Sequence, residues 1–178
     1  MTRTDGWETM MRMLPIAGAL GLFAATLASS GGTQVPDAQI NPVSLQWQKA
    51  GEQALAAGQF EAADDALEAA LVIDPRNRGA FVALARVAQR QKLFGQAIRF
   101  TNRALALEPT DTVALGVQGE AMVELGAASR AQQNLARIKT LCGARACAPA
   151  VTLAAAIQRG PAMAVKAQAP ANPATKKN

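Results

Sequence analysis

Cys142 and Cys147 are the one pair of side chains in this sequence whose type and spacing suggest chemistry. The chain has 178 residues with two Cys, no His and no Tyr, which removes most acid–base triads and every His-containing metal site. Two cysteines separated by four residues have three readings: a structural disulfide, free thiols, or redox or metal chemistry. A redox pair normally has closer spacing, a metal site needs more ligands, and the haem-attachment pattern is missing. In an exported chain an even count at this spacing favours the disulfide. Closing so short a loop would contribute about 2–3 kcal/mol at most. Gly116-Val-Gln-Gly119 is not a phosphate cradle, since no strand precedes it. The sequence holds no nucleophile elbow, phosphate loop or metal-ligand cluster, so neither an enzyme nor a cofactor is expected.

Export is suggested by the N-terminus. Arg3 and Arg12 precede Leu14–Ala28, an apolar run without a charge, and Ser-Ser-Gly-Gly-Thr-Gln comes abruptly after it. A basic start, a short apolar stretch and small residues at its end make a secretory signal over 1–30, with cleavage after Ala28 or Ser30. Met10, Met11 or Met13 as the true start would tidy that signal. The alternative is a retained anchor, because the run is only slightly short of the ~17–25 residues that span a bilayer. No Cys comes after the run, so a lipid-anchored form is not expected. Either way the rest of the chain lies outside the cytoplasmic membrane, periplasmic or secreted. Residues 31–43, with Gly-Gly, Pro36 and Pro42, read as a disordered linker.

The formal charge is +5, but the basic residues are dispersed, and Lys176 and Lys177 sit at the far end. Solvated helix faces explain this better than nucleic acid. Half of the residues are hydrophobic and only 4% aromatic, with much alanine, which suits closely packed helices.

The elements that position the cysteines come from an internal repeat. Ala-Leu-Val-Ile-Asp-Pro ends at Pro75 and Ala-Leu-Ala-Leu-Glu-Pro at Pro109, an offset of 109 − 75 = 34 residues. Trp47, Gly51, Gly58, Ala63, Leu67 and Ala70 fall on the pattern of the first unit, and Phe81, Leu84, Ala97, Ala104 and Leu105 on that of the second. Repeats are expected over 44–77, 78–111 and 112–145. In the first, helices over Ser44–Ala57 and Phe60–Ile73 would turn inward Trp47, Gly51 and Ala54, then Phe60, Ala63, Leu67, Ala70 and Leu71. Small Gly51 and Ala63 would let the pair cross closely, with Glu61, Asp64, Asp65 and Glu68 outward. Lys92 stands where the first unit has its turn glycine, which is tolerable if that turn needs no positive φ. The third unit keeps Leu115, Gly119, Met122, Gly126 and Ala131 but lacks the closing proline. Pro149–Arg159 would then cap the open end, lying on the second helix of repeat three through Val151, Leu153, Ala154 and Ile157. The disulfide would fasten this 146–160 segment, and 161–178 would be a disordered Ala/Pro/Lys tail.

This pattern resembles the tetratricopeptide repeat (TPR) family. The resemblance implies an all-α, right-handed α-solenoid of about three helix–turn–helix repeats plus a capping helix. It implies a non-enzymatic adaptor holding a protein or peptide segment on the concave face lined by first helices. Transferred to this chain, that face comprises Gln48, Lys49 and Glu52, then Val82, Ala83, Arg86 and Arg90, then Val113, Gly116, Val117, Glu120 and Glu124. Small apolar residues would form its floor and the charged ones its rim. The Lys/Asn/Arg carboxylate clamp of chaperone-binding members is absent, its places being held by Gln48, Glu52, Ala83, Val113 and Val117. Exported members commonly assist assembly of envelope complexes such as pili, secretion machines or cytochrome maturation systems. Self-association through the repeats and a thiol-redox carrier are the competing functions.

Overall fold

The computed structural model describes residues 39–162, all within one unit, Gln34–Asn178. The expected signal over 1–30 and most of the 161–178 tail lie outside the described residues. Seven helices are described: α1 (Pro42–Ala56), α2 (Phe60–Ile73), α3 (Arg78–Arg90), α4 (Phe94–Leu107), α5 (Thr112–Glu124), α6 (Ala128–Cys142) and α7 (Ala148–Arg159). They pair as α1/α2, α3/α4 and α5/α6, the three helix–turn–helix units of the 34-residue period, and form an all-α repeat solenoid.

Each first helix starts on a side-chain cap that satisfies free N–H groups of its opening turn. Asn41 Oδ1 accepts from Val43 N at 2.9 Å, Asn77 Oδ1 from Ala80 N at 3.1 Å, and Asp111 Oδ1 from Val113 N at 2.8 Å and Ala114 N at 3.0 Å. The turn within each unit passes through one left-handed residue: Gly58 (φ 76°), Lys92 (φ 63°) and Gly126 (φ 76°). Lys92 therefore takes the glycine conformation, against the expectation that its turn would not need it. The second helices α2 and α4 end at Asp74 and Glu108, held extended by the prolines after them.

Gly51 and Ala63 meet where α1 crosses α2. A Cβ on Gly51 would lie 2.5 Å from Leu67 Cγ and 3.1 Å from the carbonyl oxygen of Ala63. Glu61, Asp65 and Glu68 are exposed, whereas Asp64 is partly buried and accepts from Gln91 Nε2 at 3.4 Å. Trp47 departs from its expected inward place and is 45% exposed. Its equivalent Phe81 packs on the cluster that α3 forms with α4 and α5.

Two boundaries move. Ile40, placed by sequence in a linker, is buried, and Asn41 N donates to Asp74 Oδ2 at 3.0 Å. The ordered repeat unit thus reaches back past 44, since Pro42 is preorganised for a helix start that Asn41 caps. At the other end α7 lies on α5 as well as α6, not on the second helix alone. Leu153, Ala150 and Ala156 are its buried residues, Ile157 packs beside them, and Val151 is 60% exposed. Gly116 and Gly119 make room for it: a Cβ on Gly119 would stand 2.6 Å from Leu153 Cδ2, and one on Gly116 3.3 Å from Pro149 Cβ. In effect α7 takes the seat of a fourth first helix.

Candidate binding groove

The C-terminal halves of α3, α5 and α7 lie side by side. They bring together Gln89 and Arg90, Glu120 and Glu124, and Ala156 and Arg159, with Lys92 from the turn after α3, Phe94 from the start of α4 and Ala162 beyond α7. These nine residues line an open cavity of about 360 Å³. Its floor is the Phe94 ring and Ala156. Its walls carry three cations, Arg90, Lys92 and Arg159, and two carboxylates.

Four of the polar wall residues have identified partners. Gln89 Nε2 donates to the Val117 carbonyl at 2.8 Å and ties α3 to α5. The Arg90 guanidinium stands 5.8 Å over the Phe60 ring, within cation–π range. Glu124 Oε2 accepts from Ala162 N at 2.9 Å, which draws the chain after α7 to the mouth of the cavity. Burial pushes the Glu120 carboxyl above the usual carboxylate range, opposed by Arg86, Arg159 and a hydrogen bond from Gln89. A row of fixed donors and acceptors over an apolar floor suits an extended peptide, which offers carbonyls to the cations and N–H groups to the carboxylates.

Of the residues expected on the concave face, Arg90, Glu120 and Glu124 line this cavity, and Arg86 stands near enough to Glu120 to favour its charged form. Val82, Ala83 and Val117 were expected as an exposed floor and are instead core: Val82 is 7% and Val117 5% exposed. They are buried because α3 packs directly on its neighbouring helices, so Val82 and Val117 share one cluster with Ala85 and Ala114, and Ala83 joins Leu67 and Leu84 in the next. Aspartate at positions 82 and 117 would therefore unfold the solenoid before it tested any groove. Gly116 is buried against Pro149. Val113 keeps 38% exposure. Gln48, Lys49 and Glu52 stand apart on α1, where Gln48 Nε2 donates to Glu52 Oε1 at 2.9 Å. Gln89, Lys92, Phe94, Ala156, Arg159 and Ala162 were missed. Arg159 could have been found by seating the cap as a first helix, which makes it a wall of the groove as well as a lid.

Cys142 ends α6 and Cys147 caps α7, and the two form a disulfide with their Cα atoms 6.2 Å apart, inside the usual range. Relative to α3 and α5, whose caps Asn77 and Asp111 are 111 − 77 = 34 residues apart, the step to the Cys147 cap is 147 − 111 = 36. The bridged loop accommodates the two extra residues.

Residues 54–119 match the model for the tetratricopeptide repeat. No curated protein sequence matches the chain. Among solved structures it is similar to the first TPR domain of Spaghetti (RPAP3) bound to the HSP90 peptide SRMEEVD, at 23% identity and a TM-score of 0.59, covering 66% of this chain and 91% of that one. It is also similar to the Sgt2 TPR domain from Aspergillus fumigatus, at 17% identity and a TM-score of 0.62, covering 78% of this chain and 92% of that one. A third is the type III secretion translocator chaperone SycD of Yersinia enterocolitica, at 14% identity and a TM-score of 0.59, covering 65% and 88% respectively.

Proposed function

Because this chain belongs to the tetratricopeptide repeat family, we propose that it is a non-enzymatic adaptor that works in the cell envelope, holding an extended segment of a partner protein in the groove between α3, α5 and α7. The observation that carries this reading is the groove itself: mixed charges fixed over Phe94 and Ala156 on three successive first helices. The HSP90 peptide held by Spaghetti ends in Glu-Glu-Val-Asp. Here Gln48, Glu52, Ala83, Val113 and Val117 offer no clamp for such an end, so the partner meets both signs of charge beside an apolar anchor. Placement outside the cytoplasmic membrane rests on the apolar run Leu14–Ala28, its small-residue exit and a disulfide of the kind that oxidising compartments keep. Assistance to assembly of an envelope complex is the role that such a placement gives an adaptor.

Two experiments test the two halves. Residues 31–178, used as bait in an envelope extract, should capture a partner that the Arg90→Asp/Arg159→Asp variant loses at unchanged helicity. Capture that survives both changes would put the binding surface elsewhere. Residues 1–43 fused to a reporter active only after export should switch it on, and a dark reporter would overturn the location.

A further inference from the structure

The chain leaves α7 at Gly160, whose φ of 70° sits where glycine is at ease, so the backbone turns away from the helix axis. Two residues later Ala162 is back against α5, its N–H on Glu124 and its side chain in the cavity wall. The polypeptide is thus delivered to the groove. The next residues are Met163-Ala164-Val165-Lys166, and 163–178 carry Lys166, Lys176 and Lys177 with no Asp or Glu. In an extended chain Met163 and Val165 fall on one side, the side that an apolar floor of Phe94 and Ala156 would receive.

We infer that residues 163–178 are the groove's own occupant in cis, entering at Ala162 and laid along α5, so that a partner must displace them to bind. Met163 and Val165 then meet Phe94 and Ala156, while Arg90, Lys92 and Arg159 donate to the segment's carbonyls. A tethered occupant of this kind needs little intrinsic affinity, since its local concentration is set by a few residues of chain. The inference rests on the groove being the binding face, and not on where the protein resides.

Amide spectra of the full chain and of a full-chain Met163→Asp/Val165→Asp variant test it. Signals of Arg90, Phe94, Glu124 and Ala156 should move between the two while those of α1 and α2 stay in place. A fluorescent peptide of residues 161–178 should bind the variant more tightly than the parent chain. A segment docked nine-tenths of the time weakens the competitor about tenfold. Unmoved groove signals, or equal peptide affinity for both chains, would overturn the inference. So would groove shifts that grow with protein concentration, which would place the segment in a neighbouring copy. Partner capture that is lost with Arg90→Asp/Arg159→Asp, together with a silent segment, would sink this inference alone and leave the adaptor reading standing.

Discussion

Asn77 Nδ2 donates to Ser44 Oγ at 2.9 Å across 33 residues of sequence, and both side chains are buried. Ser44 passes the bond on, its hydroxyl donating to the Ala70 carbonyl at 2.7 Å, while Asn77 Oδ1 caps α3. One short relay therefore joins the start of α1, the end of α2 and the start of α3. Ser44→Ala leaves Asn77 Nδ2 buried without that acceptor. The expected cost is about 1–3 kcal/mol, read from urea unfolding; a change within error would show that the relay contributes nothing.

Lys92 holds a left-handed backbone at a turn whose two equivalents are Gly58 and Gly126. A residue with a Cβ is strained there by about 1–2 kcal/mol. Lys92→Gly should therefore stabilise the protein by about 1 kcal/mol, the relief being offset in part by the freer unfolded chain. The reverse change at an equivalent turn, Gly58→Lys, should lower the melting temperature. Two variants moving the same way would contradict the strain argument.

Helical glycines differ by what faces them. Gly119→Ala drives a Cβ to 2.6 Å from Leu153 and should displace α7, whereas nothing lies within 4 Å of a Cβ on Gly95. Gly95→Ala should thus gain about 0.5–1 kcal/mol from helix propensity, and Gly119→Ala should lose stability. Amide exchange supplies a local readout: Gly119→Ala, or reduction of Cys142–Cys147, should speed exchange over 146–160 while α1–α4 stay protected. Exchange rising equally everywhere would mean the cap is not a local unit.

Asp74 is buried and accepts from Arg76 Nε at 3.1 Å, Arg76 Nη2 at 3.1 Å, and the backbone N–H groups of Arg76 and Asn41 at 3.0 Å each. The Arg76 side chain first, then the Asn41 N–H, hold its carboxyl down from 3.8 to about 2. A depressed carboxylate stabilises the fold fully above its unfolded value and loses that contribution as pH falls through the folded one. Asp74→Asn should therefore be less stable than the parent at pH 7, with the gap closing between about pH 4 and pH 2. A gap that is constant with pH would assign the loss to packing.

The repeat period, the close Gly51–Ala63 crossing and the disulfide pairing were legible because each is local or recurs at a fixed offset. Trp47 and Val82 were misplaced for a common reason. Periodicity along one helix says which residues share a stripe, not whether a neighbour covers that stripe. At α1 Trp47 stays exposed, while at α3 and α5 the neighbours close over Val82 and Val117. Arg90, Glu120 and Glu124 were placed on the lining because charge marks an uncovered stripe, while Lys92 was read only as a turn residue and Arg159 only as part of an end helix.

The two extra residues of the bridged loop also constrain how this molecule can be lengthened. At positions equivalent to Ala80, Ala83, Leu84 and Val87 of α3, α1 carries Gln46, Lys49, Ala50 and Gln53, all exposed. A copied repeat grafted ahead of α1 would therefore meet a wet surface, and one grafted after α7 would follow a step of 36 residues in place of 34. Between Pro109 and Thr112 both sides of the junction match the 34-residue step. The interior junction therefore accepts a copied repeat at an unchanged step.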